Sequence, residues 1–432
     1  MNNLNTKKLI SLIYSIIYLI IYLTVASVYS KYTTATFIFN KTIKIYGDDL
    51  IENITIETLI PNNSSNQIVE LIYSSDNFTI KNGKAVFYFE KIREKKITIT
   101  FKVKTDYIAR MAYEAETTAA SKYTKESKNV VFNDEIYNLT NSFREGFPEY
   151  IIDSLDWIGD NIQYSLPYSD VNYKEVYESS MNSVEFMRNK KGVCDEFSNL
   201  FVAFMRIKNV PSRIIAGEAM VEDKWIPHAW AEVYIPKYGW VEVDPTFGEF
   251  MNLDPFRIKY SSEADVSDVY EKVTSISKGN ITYKSFLNID VLNYSKDIAL
   301  DIDARFLDKN ESEKMLVFVR NNEKYPVYIN IKVITPPEIE CNCTKNVFLD
   351  GNSLASMEFE LKLPKMEKNI KYTYPVLILT DYSQDEFSFS RLILEESINE
   401  KDEIVNERMR LFIGIFLIIM IGLIIISVWL KL

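Results

Sequence analysis

The chain has 432 residues, room for two or three ordinary domains, and its 47% hydrophobic and 13% aromatic content excludes global disorder. A net charge of −11 argues against a nucleic-acid partner, which would need a basic face. With one histidine and three cysteines, the composition favours neither a zinc site nor a disulfide-rich framework.

Two runs, residues 9–28 and 411–430, are uncharged and almost wholly apolar. Twenty helical residues at about 1.5 Å each cover the roughly 30 Å hydrocarbon core of a bilayer. Residues 1–31 therefore read as an N-terminal transmembrane anchor, or alternatively as a signal peptide cut after Ser30. Lys7 and Lys8 before the first run and Lys431 after the second place both ends in the cytoplasm, although Arg408 and Arg410 pull the other way. The expectation is a two-pass protein of the cell membrane with its large middle extracytoplasmic. Asn-x-Ser/Thr sequons fall between the two runs and avoid residues 143–250, in keeping with that orientation.

Residues 32–110 show apolar positions at period two. Ala85, Phe87 and Phe89 alternate with Val86, Tyr88 and Glu90, and Ile97, Ile99, Phe101 and Val103 alternate with Thr98, Thr100, Lys102 and Lys104. Turn chemistry at Pro61 to Ser64 and Lys81 to Gly83 breaks the pattern. A β-sandwich is expected here, followed by a polar connector over 111–143. A second β-rich block, 281–395, reads as an immunoglobulin-like sandwich. It follows a linker over 251–280 and leads through a stalk, 396–410, into the second apolar run.

Residues 144–250 hold four of the five tryptophans and the histidine. Phe197, Leu200, Phe201, Phe204 and Ile207 follow helical spacing, so Cys194 opens a helix that Pro211 ends. The positive end of that helix favours thiolate and offers N–H groups to an oxyanion, whereas a small packing thiol is the plain alternative. His228, Trp230, Glu232 and Tyr234 share one face of a strand, and a turn near Pro236 returns the chain to Asp244. A turn centred near Pro236 brings Asp244 opposite or diagonal to His228, and one centred two residues later misplaces it. A thiol, an imidazole and an orienting carboxylate are the parts that nucleophilic amide chemistry needs.

Four segments, Lys191-Gly-Val-Cys-Asp-Glu-Phe, Val210-Pro-Ser-Arg, His228-Ala-Trp-Ala-Glu-Val-Tyr and Gly239-Trp-Val-Glu-Val-Asp-Pro-Thr, resemble successive motifs of the transglutaminase-like superfamily. The helix Ile152 to Tyr164 resembles that family's leading helix. The resemblance covers about 100 residues and implies Cys194 as nucleophile, His228 as base and Asp244 as orienting residue. It further implies an α+β, papain-like core; the two flanking β-sandwich domains and two terminal transmembrane helices lie outside the resemblance, and the whole reads as an archaeal or bacterial surface protein.

Many relatives carry Arg after the cysteine; Asp195 stands there instead and should raise the thiol pKa. Gln163 or Tyr164 could complete an oxyanion hole, with Tyr164 read foremost as packing, and Arg213 reads as structural. Cys341 and Cys343 are expected to be unpaired, since a bridge two residues apart is strained. The expected function is a membrane-tethered cysteine-dependent amide hydrolase or acyltransferase on protein or cell-envelope amides. It would need no cofactor or metal, would have the lipid bilayer as its second partner and would not bind nucleic acid. The rival is a non-catalytic surface protein using the same fold as a scaffold.

Overall fold

The structure, a computed structural model, describes residues 33–395 except 107–119, 166–180, 252, 264, 266–269, 296–299, 307–313, 342, 363–370 and 381–387. Both apolar runs and the stalk lie outside the described residues, among which no helix is long and apolar enough to cross a membrane.

In chain order, four strands come first: β1 (Thr34–Leu59), β2 (Gln67–Ser74), β3 (Thr79–Lys81) and β4 (Lys84–Asp106). Helices α1 (Asp134–Thr140) and α2 (Glu149–Asn161) precede β5 (Gln163–Tyr164), α3 (Ser183–Asn189), β6 (Lys191–Gly192) and α4 (Cys194–Ile207). A strand-rich run follows, with β7 (Ser212–Val221), β8 (Lys224–Ile235), β9 (Gly239–Asp244), β10 (Glu249–Phe250) and β11 (Arg257–Glu263). Then come β12 (Lys272–Ser277) and β13 (Ile281–Ser295).

The N-terminal module is one sheet in the order β12-β1-β4-β2, with β13 also paired to β1 and β3 to β4. The expected phase holds along β4, where Ala85, Phe87, Ile97, Ile99 and Val103 are fully buried. Asn82 and Gly83 turn β3 into β4 at φ of 49° and 70°, as a tight hairpin requires. Two expectations change. The module is not a separate sandwich over 32–110 but a single sheet, and both halves of its long strands feed one core. The segment 251–280 is not a linker, because it contributes β11 to the central domain and β12 to this sheet.

The central domain is a five-stranded antiparallel sheet, β10-β9-β8-β7-β11, with α4 against one face. Phe197, Leu200, Phe201 and Phe204 of α4 share a core with Ile214, Ala229, Ala231, Val233, Val241 and Val243. Val130, Ile136 and Phe143 join the same core, so the described part of 111–143 belongs to this domain and is no mere connector.

Beyond β13, two four-stranded sheets enclose one apolar core. The first is built from Leu300–Phe306, Lys314–Asn321, Leu354–Lys362 and Glu340–Cys341. The second is built from Thr344–Leu349, Val327–Ile334, Lys371–Thr380 and Ser388–Glu395. This sandwich starts at Leu300, since β13 pairs with β1 instead. It meets the central domain through Phe348, whose ring lies 5.2 Å from Phe147 and 5.9 Å from Tyr238. Cys341 and Cys343 are joined in a disulfide, which corrects the expectation that they are unpaired.

Candidate active site

Cys194 is the first residue of α4 because Val193 before it is extended. Glu196 then folds back, its Oε2 accepting the Val193 N–H at 3.0 Å and its Oε1 the Met181 N–H at 3.2 Å. That one-sided cap, made by Glu196 alone because valine has no side-chain acceptor, leaves the thiol at the positive end of the helix. The helix start packs against β8, where the backbone of Ala229, the residue after His228, works against the rise of the thiol pKa.

Along β8, Ala229, Ala231 and Val233 face α4, while Trp230 packs with Ile215 and Leu253 on the other side. Ile235 pairs with Gly239 and Ala231 with Val243, so the hairpin centres on Lys237. That register sets Asp244 one step beyond Val243, diagonal to His228, and the imidazole closes the gap. His228 Nε2 lies 2.8 Å from Asp244 Oδ2, with both residues buried. Asp244 Oδ1 accepts the Thr246 N–H at 3.0 Å, so both carboxylate oxygens are held. With Nε2 engaged, Nδ1 is the ring nitrogen left to exchange a proton with a thiol.

The electrostatics divide the site. Burial alone would raise the Asp244 carboxyl. His228 and then Arg257 outweigh burial and hold it at about 2. The Cys194 thiol is pushed well above its usual range, first by burial and then by Asp195. Asp195 is itself 3% exposed, and burial followed by the Glu196 charge lifts its carboxyl to about 7. Burial therefore exceeds the expected Asp195 effect, and the acid is neutral through the mildly acidic range.

Gln163 and Tyr164 pair in parallel with Lys191 and Gly192, just ahead of the cysteine. Tyr164 is 45% exposed and its ring lies 6.1 Å from that of Phe197, a packing contact at the surface of the domain. Arg213 donates Nε to Glu232 Oε2 at 2.6 Å and stacks over Trp240 at 4.1 Å, a structural role.

Two neighbours of the site escaped the sequence reading. Phe247, 48% exposed, lies 5.3 Å from the His228 ring. Arg257 donates Nη2 to Asp244 Oδ2 at 3.0 Å. It fell in the supposed linker, although Arg257-Ile-Lys-Tyr carries the period-two alternation of a strand.

The model of the transglutaminase-like superfamily matches residues 138–245. The uncharacterized protein YebA of Bacillus subtilis (strain 168) is 27% identical over 113 residues, 22% of this chain and 14% of YebA. The chain thus spans about one seventh of that relative. Among solved structures, a candidate cysteine protease from Cytophaga hutchinsonii has a TM-score of 0.43 at 17% identity, covering 60% of this chain and 91% of its own. The periplasmic domain of TgpA from Pseudomonas aeruginosa has a TM-score of 0.30 at 11% identity, covering 52% and 91%. Residues 138–245 carry a transglutaminase-like domain.

Proposed function

We propose that the chain is a membrane-tethered, extracytoplasmic cysteine amidase or peptidase acting on protein or cell-envelope amide bonds. The observation that carries this reading is the buried 2.8 Å contact between His228 and Asp244 beside the helix that starts at Cys194. In the reaction, His228 takes the thiol proton as Cys194 Sγ attacks the amide carbonyl. First-turn N–H groups of α4 receive the oxyanion. The imidazolium returns its proton to the leaving amine as the C–N bond breaks. Water, or a second amine, then resolves the thioester. The apolar runs 9–28 and 411–430 support the tether.

One observation favours a non-catalytic scaffold instead: burial and Asp195 both oppose formation of the thiolate. Incubating the full-length protein with peptide and envelope amides, followed by intact-mass analysis, separates the two readings. A thioester adduct absent from Cys194→Ala, with turnover lost in His228→Ala and weakened in Asp244→Asn, is the expected result. Cys194 chemistry indifferent to His228 would favour the scaffold. Added amines that divert the product would identify acyl transfer in place of hydrolysis.

A further inference from the structure

Arg257 opens β11, which pairs with β7 and not with β9, yet its side chain crosses to the carboxylate beside the histidine. Asp244 Oδ2 accepts both His228 Nε2 at 2.8 Å and Arg257 Nη2 at 3.0 Å. The same Nη2 donates to Glu249 Oε2 at 2.6 Å, and Nη1 is paired with Asp254. Arg257 is 2% exposed, and a charge buried that deeply needs such partners. Its planar fork fixes the plane in which a carboxylate must lie.

The strand that carries Arg257 is gripped from outside the central domain, on both sides of that residue. Thr105 Oγ1 of β4 donates to Pro255 O at 2.6 Å. Gln67 of β2 accepts the Lys259 N–H at 2.8 Å and donates Nε2 to Lys259 O at 2.9 Å, taking the place of a strand neighbour. Asn62 Nδ2 donates to Tyr260 O at 2.5 Å. These side chains all belong to the N-terminal module, and Phe37 and Phe39 pack behind them on Trp225, Phe256 and Tyr260.

We propose that Arg257 is a positioning residue for the Asp244–His228 pair, and that the N-terminal β module takes part in catalysis by clamping the strand that carries it. The proposal rests on the thiol chemistry given above. Around Asp244 stand His228 on β8, Arg257 on β11, Glu249 on β10, Asp254 ahead of β11, and Cys194 with Asp195 on α4. Removing Arg257 has two opposite consequences. Loss of a nearby cation alone would favour the imidazolium and move the acid limb of thiolate formation to lower pH. Loss of carboxylate position would deprive the imidazolium of its fixed counter-charge and move that limb upward.

The test is the rate of iodoacetamide alkylation of Cys194 in the full-length protein, followed from pH 5 to 10. Asp195→Asn versions are run in parallel so that the Asp195 titration is not mistaken for the limb. Arg257→Met is expected to slow alkylation at pH 7 about tenfold, the worth of one charge-assisted hydrogen bond, and to move the acid limb upward. Arg257→Lys should restore most of the rate, and Gln67→Ala should shift the profile the same way by a smaller factor. An unchanged or downward-moving limb in Arg257→Met overturns the positioning role, as does a lysine variant no better than methionine. A wild-type profile in folded Gln67→Ala overturns the clamp. Should Arg257→Met fail to fold, Arg257→Lys in the wild-type range together with a shifted Gln67→Ala profile supports the proposal, and a wild-type Gln67→Ala profile overturns it. His228→Ala with an undisturbed rate would instead remove the thiol reading itself, an outcome distinct from any Arg257 result.

Discussion

The Cys194 Sγ donates to Asp195 Oδ1 at 3.9 Å; the Asp195 charge raises the thiol, whereas the thiol hydrogen bond pulls the carboxyl down against burial and the Glu196 charge, which lift it. Because burial holds the acid at about 7, its influence on the thiol depends on pH. Below about pH 6 the acid is protonated and exerts little repulsion, and above pH 8 it is charged and opposes the thiolate. Asp195→Asn should therefore speed Cys194 alkylation at pH 8.5 by about fivefold, the effect of removing a like charge worth on the order of 1 kcal/mol. At pH 5.5 the variant should match the wild type. A rate ratio that is flat across this range would show that Asp195 does not control the thiol. Asparagine is the informative replacement, since arginine at a position 3% exposed would bury a new charge.

Close approach of backbone explains a second sensitivity. Gly217 on β7 lies between His228 on β8 and Lys259 on β11. A Cβ added there would meet the Ile258 carbonyl oxygen at 2.0 Å and the Trp230 ring at 2.9 Å. Gly217→Ala must push β11 outward, at an overpacking cost of about 1–3 kcal/mol. It should lower the urea midpoint and slow Cys194 alkylation together, since β11 carries Arg257. Wild-type stability in this variant would mean that β11 yields without effect.

What could be read from the sequence was local. The stripe Phe197, Leu200, Phe201 and Phe204 repeats at helical spacing, and its packing against the sheet follows directly. The return of Asp244 toward His228 rested on a turn near Pro236. The hairpin centres one residue later, and the diagonal position keeps the pair within reach. Contacts between distant segments left little trace. Ile51 pairs with Ser277 and Thr34 with Ser295, yet β12 is almost wholly exposed and shows no buried alternation to announce a strand. The clamp of Gln67 on Lys259 joins side chain to backbone across 192 positions, a relation without periodicity in either segment.

The disulfide yields a count. With Cys341 bonded to Cys343, Cys194 is the free cysteine among the three. Thiol titration of the unreduced chain in denaturant should give one thiol per molecule, rising to three after reduction. Persistence of the bridge fits an oxidising compartment, the setting proposed for the middle of the chain. Three thiols before reduction, in protein isolated with thiols blocked at lysis, would contradict the bridge.

Two buried acids make the fold lose stability as the pH rises from about 4 to 7. Asp195 and Glu218 are both lifted to about 7, in each case first by burial, and Glu218 accepts the Tyr260 hydroxyl at 2.9 Å. In the unfolded chain such groups ionise near about 4. Between about pH 4 and 7 the fold therefore keeps protons that the unfolded chain releases, and stability falls as pH rises, by as much as a few kcal/mol per group. Asp244, held at about 2, has the opposite sign: its contribution is present above about 4 and is lost as the pH falls toward 2. The thermal midpoint should accordingly drop from pH 5 to 8, and Asp195→Asn and Glu218→Gln should each flatten that slope. Differential scanning calorimetry across the range measures it. A midpoint that rises from pH 5 to 8, or a slope untouched by both substitutions, would show that these carboxyls do not resist ionisation in the fold.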